Sequence, residues 1–345
     1  MEKFLSIALA LLMVCVMLPV VALAAEKTAS TYEELKSAIS TANDGDTIKL
    51  LADIDLSQTI TVNKTITLNM NGKKLYNTSD LWDKPTAEAD NWSLISVRGS
   101  GNLTITGNGT FAAKENDCYA VDVQESATVT IKNGTFIGNI HAVYVFAGTA
   151  NVEGGTYSVQ QKYPDSAKGD EFVLNCYDAN RANGTAHINV TGGTFKNFNP
   201  ADNKAEGEGN NFADNSLVVQ KNNTVQNNDY YVGNAANEVI AAASKGEEII
   251  VLNGTTLTNV PAGVIIQNRT SNAITVNGEA VDQTGDNGYV VPASYIVIVP
   301  GDTTPETPKT DDQKNPSTGA NDFVGLAAAA AVVALLGSAV VLRKK

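Results

Sequence analysis

The sequence predicts an all-β chain wound as a parallel β-helix, on three observations. The body repeats itself: "SLISVRGSGNLTITGNGTF", "YAVDVQESATVTIKNGTF" and "HAVYVFAGTANVEGGTY" are versions of one unit, and "FVLNCYDANRANGTAHINVTGGTF" is a longer one. Within each unit apolar and polar residues alternate, the period of a strand that buries one face. Each unit also ends in Gly-Thr-aromatic, at Phe111, Phe136, Tyr157 and Phe195. Two strands of this length cannot bury a core alone, so successive units are expected to stack with parallel ladders about 4.8 Å apart.

The elements follow in chain order. Lys3, the apolar stretch from Phe4 onward and the small-residue pattern Ala22-Leu23-Ala24 are the three parts of a secretory signal peptide over 1–24, with cleavage expected after Ala24. In "TYEELKSAISTANDGDTIKLLADIDL", Leu35, Ala38, Ile39 and Ala42 fall on one helical face. A turn at Asp44-Gly45-Asp46 then leads into a strand over 47–51. Such a helix suits the open end of a stack, which needs a cap.

In the coils, Ile95/Val97, Val121/Val123, Val143/Val145 and Leu174/Cys176 are expected to point inward from the first strand, and Leu103/Ile105, Val129/Ile131 and Ile188/Val190 from the second. The glycine before each Thr-aromatic pair permits the closing bend, and the aromatics are expected to stack inside as a ladder. Cys118 and Cys176 lie on rungs about 10 Å apart, beyond disulfide reach, and are read as unbridged thiols.

The same alignment places outward residues in columns. One is Ser96, Asp122, Tyr144 and Asn175; its neighbour is Arg98, Gln124, Phe146 and Tyr177, with Tyr119 and His141 just ahead of their strands. Trp82 and Trp92 lie in the polar insertion "YNTSDLWDKPTAEADNW". Aromatic faces stack on sugar rings and polar groups bond their hydroxyls, so Trp82, Trp92, Arg98, Asp122, His141, Tyr144 and Tyr177 form a candidate glycan-binding set. A solvated sheet face with incidental aromatics is the competing reading, and packing over neighbouring coils is the one for the two tryptophans.

Composition narrows the function classes. A formal net charge of −13 with few arginines disfavours nucleic acid and anionic membranes. With His141 and His187 as the only histidines, no metal site is expected. A hydrolase needs paired carboxyls on one face, and a lyase needs a base plus a group, often a cation, that neutralises the substrate carboxylate. Asp122 is the only acid in the aligned columns and Arg98 the only strong cation; Asp53 and Asp55 share a face near the N-terminal cap. No nucleophile triad or phosphate loop is present, so no catalytic residue and no cofactor is assigned, calcium entering only if the chain is a lyase.

Residues 234–299 read as a second, shorter β unit, in which "NEVIAAASKGEEIIVLNGTTLTNV" echoes the N-terminal helix-Gly-strand pattern. Residues 300–314 are a Pro/Thr/Asp-rich linker without apolar periodicity. Residues 315–345 carry Asn315-Pro316-Ser317-Thr318-Gly319, an apolar span at 323–342 and the basic end Arg343-Lys344-Lys345. At about 1.5 Å per residue, a helix over that span matches a hydrocarbon core about 30 Å thick. A plain single-pass membrane anchor would need only the span and the basic residues.

This three-part ending resembles the LPxTG sorting signal of Gram-positive surface proteins. The resemblance implies that a sortase cuts between Thr318 and Gly319 and joins the Thr318 carboxyl to peptidoglycan. Asn315 stands where that family usually has Leu, which leaves the sortase class open. The opening over 31–56, followed by "ITVNKTITLNMNGKKL" at 60–75, resembles that of pectate-lyase-like proteins, and the resemblance extends over 31–233. That resemblance implies a right-handed parallel β-helix over 25–233, with an N-terminal capping helix and, in the precursor, a C-terminal transmembrane helix. The expected function is that of a cell-wall-anchored adhesin whose ligand is a polysaccharide or host-surface glycan. A β-helix polysaccharide lyase or glycoside hydrolase, and a passive surface protein, stand as alternatives.

Overall fold

The computed structural model describes residues 24–82, 92–161, 172–202, 211–222 and 228–293. The stretch read as a signal peptide up to residue 23 (Ala22 included), the expected linker, Asn315–Gly319 and the apolar span at 323–342 lie outside these residues. Among the described residues, no helix is long and apolar enough to cross a membrane.

Strands dominate, and from Ile60 to Lys196 the chain visits three sheets in turn, five times over. Sheet I holds Ile60–Val62, Ser93–Val97, Tyr119–Val123, Val143–Val145 and Leu174–Cys176. Sheet II receives the second strand of each coil, from Thr65–Asn69 to Ala186–Val190. Sheet III receives the third strand of each coil, Lys74–Tyr76 first and then the four Thr-aromatic endings up to Gly193–Lys196. Every pair within these coils is parallel and in register, as in Ser96↔Asp122↔Tyr144↔Asn175. The long parallel sheets are compatible with a β-solenoid. Each coil thus has three strands where the repeat suggested two, because the ending read as a bend pairs with its neighbours over three or four residues.

Alternation assigned the core correctly. Ile95, Val97, Val121, Val123, Val143, Val145, Leu174 and Cys176 are buried, as are Leu103, Ile105, Val129, Ile131, Ile188 and Val190. Phe111, Phe136, Tyr157 and Phe195 form the aromatic ladder, with ring centroids 4.8, 5.1 and 5.0 Å apart and planes within 13°. The buried Tyr157 hydroxyl is satisfied by donating to the Gly154 carbonyl at 2.6 Å. Gly134, Gly155 and Gly193 take φ of +114°, +101° and +119° immediately before three of these pairs, a conformation that side chains disfavour. Cys118 and Cys176 are buried and form no disulfide.

The helix Tyr32–Ser40 lays Leu35, Ala38 and Ile39 on the first coils. Thr31 caps it by accepting from the Glu34 N–H, while the Glu34 carboxylate accepts from the Ser30 N–H at 2.7 Å. A second local device stops the chain beyond the helix: Asp46 accepts from the Asn43 N–H at 2.9 Å. The helix Asn234–Ala241 is followed by the same arrangement, with Glu247 accepting from the Ser244 N–H at 2.7 Å. After each turn the next strand pairs in parallel with a later one, Thr47↔Thr67 and Glu248↔Ile265. The second unit therefore repeats the opening of the first.

Its join to the first unit differs from a continued coil. The parallel ladder ends at Gly193–Lys196, to which Asp229–Val232 is antiparallel, followed by Val218–Asn222 and Glu248–Asn253 in the same manner. Residues 218–222 and 229–232, assigned to the parallel stack from sequence, form this reversal. Lys196 pairs with Asp229 directly across it. The C-terminal unit has its own core around Ile249, Val251, Val264 and Ile266, plus a small sheet of Thr256–Leu257, Ile274–Val276 and Glu279–Val281.

Candidate functional site

The outward side of sheet I brings most of the candidate residues together. Trp82 and Trp92 flank the insertion and meet with ring centroids 5.2 Å apart. Trp82 lies edge-on to Tyr119 at 5.4 Å, and Tyr119 contacts His141 at 4.5 Å and Tyr144 at 5.4 Å. His141 stacks on Tyr144 at 5.0 Å, with Phe172 edge-on to it at 5.8 Å. Equivalent positions on successive rungs are one strand spacing apart, so rings placed there must touch.

The packing corrects two expectations. Asp122 is 1% exposed and His141 6%, with Ser96 and Asn175 also buried, so this column is covered rather than presented to solvent. The column pairs internally. Asp122 receives the Gln124 amide at 2.6 Å and lies 2.7 Å from the Ser93 hydroxyl. Arg98 donates from Nε to the Ser96 hydroxyl at 2.9 Å. Tyr119, expected ahead of its strand, opens it.

Burial pushes the Asp122 carboxyl upward in pKa, against the opposing effect of its hydrogen bonds and of Arg98. The Ser93 hydroxyl lies within donating distance of both Asp122 and the Ile95 carbonyl, at 2.7 and 2.8 Å. His141 is held neutral, its pKa lowered to about 4 by burial. Its Nδ1 donates to the Phe172 carbonyl at 2.8 Å, which puts the proton on that nitrogen.

The accessible part of the face is the neighbouring column. Gln124, Phe146 and Tyr177 donate their N–H groups to Val97, Val123 and Val145, each at 2.9 Å, so Arg98, Gln124, Phe146 and Tyr177 continue the ladder in register. Phe146 and Tyr177 are 40% and 43% exposed and stack with centroids 4.9 Å apart. Trp82 is 45% exposed at the other border of the face. Together they offer aromatic surface beside amide and guanidinium donors.

Asp117 was not singled out by sequence reasoning, yet it sets the position of Trp82. Its buried carboxylate accepts from the Leu81 and Trp82 N–H groups at 2.9 and 2.8 Å and from Asn77 Nδ2 at 2.6 Å. A lone acid in a turn carries no periodic signal, and its partners lie 35 to 40 residues away. Asp53 and Asp55 are spent on turns, accepting from the Lys74 N–H at 2.9 Å and the Thr78 N–H at 2.9 Å. Among the described residues no group of three or more His, Cys, Asp or Glu side chains is arranged to hold a metal ion.

In comparisons with known proteins the chain matches no family model, no curated protein and no solved structure, so the chemistry of this face is read from its own residues.

Proposed function

We propose that the chain is a secreted surface protein, built as a right-handed parallel β-helix and joined to a Gram-positive cell wall through Thr318, that binds a glycan without turning it over. The observation that carries the binding role is the exposed Phe146–Tyr177 stack, in register with Gln124 and Arg98. Exposed aromatics cost solvation and are kept where a ligand covers them; sugar rings offer the apolar faces and hydroxyls that this column complements. The right hand follows the rule for parallel crossover connections. Wall attachment is supported by the order of motif, apolar span and basic end over 315–345.

A catalytic role has less support. A base must be ionised and reach its proton, whereas Asp122 is buried, paired and shifted toward its neutral form. The test is a glycan array and a polysaccharide depolymerisation assay on the purified protein, with and without calcium. Binding without release of reducing or unsaturated ends is expected. Turnover abolished by Asp122→Asn or Arg98→Ala would replace this reading with an enzyme, and neither binding nor turnover would leave a passive surface component.

A further inference from the structure

A second surface, where residues 214–217 meet the C-terminal unit, has the form of a ligand site. Three turns, 213–217, 252–256 and 269–272, surround a cleft of about 570 Å³. That volume lies in the range of small-molecule pockets.

The walls are fixed by hydrogen bonds among their own residues. Asn253 Nδ2 holds the first turn to the second through the carbonyls of Ala213 and Ser216, both at 2.8 Å. The fully buried Asn268 holds the third turn, its Oδ1 accepting from Thr270 N at 3.0 Å and Thr270 Oγ1 at 2.8 Å. Because these groups are ordered without a ligand, little conformational entropy is lost on binding.

The lining decides the ligand class. Half-buried Leu217 and Leu252 supply an apolar patch, while Asp214, Asn215, Thr255 and Thr256 supply exposed acceptors and donors. Arg269 also borders the cleft, but its guanidinium is engaged by Asp286 at 3.1 Å and Gln267 at 2.9 Å. No uncompensated cation is therefore offered to an anion. A carboxylate, amides and hydroxyls around a small apolar patch match a neutral sugar, whose vicinal hydroxyls donate to a carboxylate and whose C–H face covers leucine.

The geometry points to this cleft as a binding site for a neutral mono- or disaccharide unit, separate from the sheet I face. Amide chemical-shift mapping of the full chain, titrated with cellobiose, maltose, lactose and N,N′-diacetylchitobiose, tests it. At least one of these sugars is expected to shift residues in the three turns, with affinity about tenfold weaker in Asp214→Ala, the loss expected for a hydrogen bond to a charged group. Thr256→Trp, which fills the cleft from an exposed position, should abolish the shifts, while Tyr177→Ala should leave them unchanged. If none of the four sugars shifts these turns, or if binding there survives both cleft variants, the assignment is wrong. Because Tyr177→Ala acts only on sheet I, failure of one site is distinguishable from failure of the other.

Discussion

His141 and Asp122 are buried on the outward side of sheet I, and their burial writes opposite pH dependences into the fold. The folded chain resists protonating His141 until about pH 4, whereas an unfolded chain takes up that proton near pH 6.5. Between those values the unfolded state binds more protons, so stability falls as pH falls through the window, by up to about 3 kcal/mol. Asp122 has the reverse sign. Its folded pKa is raised, so the folded state retains a proton that the unfolded state gives up above the ordinary carboxylate range, and stability is lost as pH rises there. Thermal unfolding at pH 7, 5.5 and 4 should therefore show a shallower acid loss in His141→Gln than in the parent. Asp122→Asn should gain stability over the parent as pH rises above 4. An unchanged acid slope in His141→Gln would show that other groups govern it.

At the scale of the element, the ladder of Phe111, Phe136, Tyr157 and Phe195 ties the coils together. Phe136→Ala leaves a cavity between two stacked rings and is expected to cost about 3–5 kcal/mol. Gly155→Ala places a side chain at φ +101° and should cost about 1–3 kcal/mol through backbone strain alone. Denaturant unfolding of both variants measures these costs, and a loss below about 1 kcal/mol for Phe136→Ala would mean that the ladder is not structural. The ladder and inward columns were legible because alternation and a fixed repeat length encode face and register directly. Three features were less so. The third strand hid in a Gly-Thr-aromatic ending, where three residues carry too short a pattern to count as a strand. Alternation reports face but not direction, so the antiparallel strands at 218–222 and 229–232 passed as part of the parallel stack. Asp122 and His141 were placed on the outward side of sheet I, but alternation reports which side a residue takes and not whether that side is covered.

For the whole molecule, the two cores and the repeated helix-turn-strand opening describe a long stack followed by a short one, joined through a continuous sheet III. In the proposed reading, attachment and recognition occupy separate parts of the chain. In a Gram-positive host that carries a matching sortase, Thr318→Ala is expected to move the protein from the muramidase-released wall fraction to the membrane and medium. Retention in the wall fraction would contradict the sorting assignment. The expectation of wall attachment rests on a linear motif that sequence displays directly, whereas the cleft beside the C-terminal unit leaves no such signal, its three turns being spread over more than 50 residues from end to end. The recognition claim rests on Phe146 and Tyr177, and the direct test is calorimetric titration of a glycan found by array screening into the parent and the Phe146→Ala/Tyr177→Ala variant. Loss of two stacking rings should weaken binding by about tenfold or more while the fold and the Tm stay near those of the parent. Equal affinity in parent and variant would contradict the account, and would place the ligand elsewhere on the molecule.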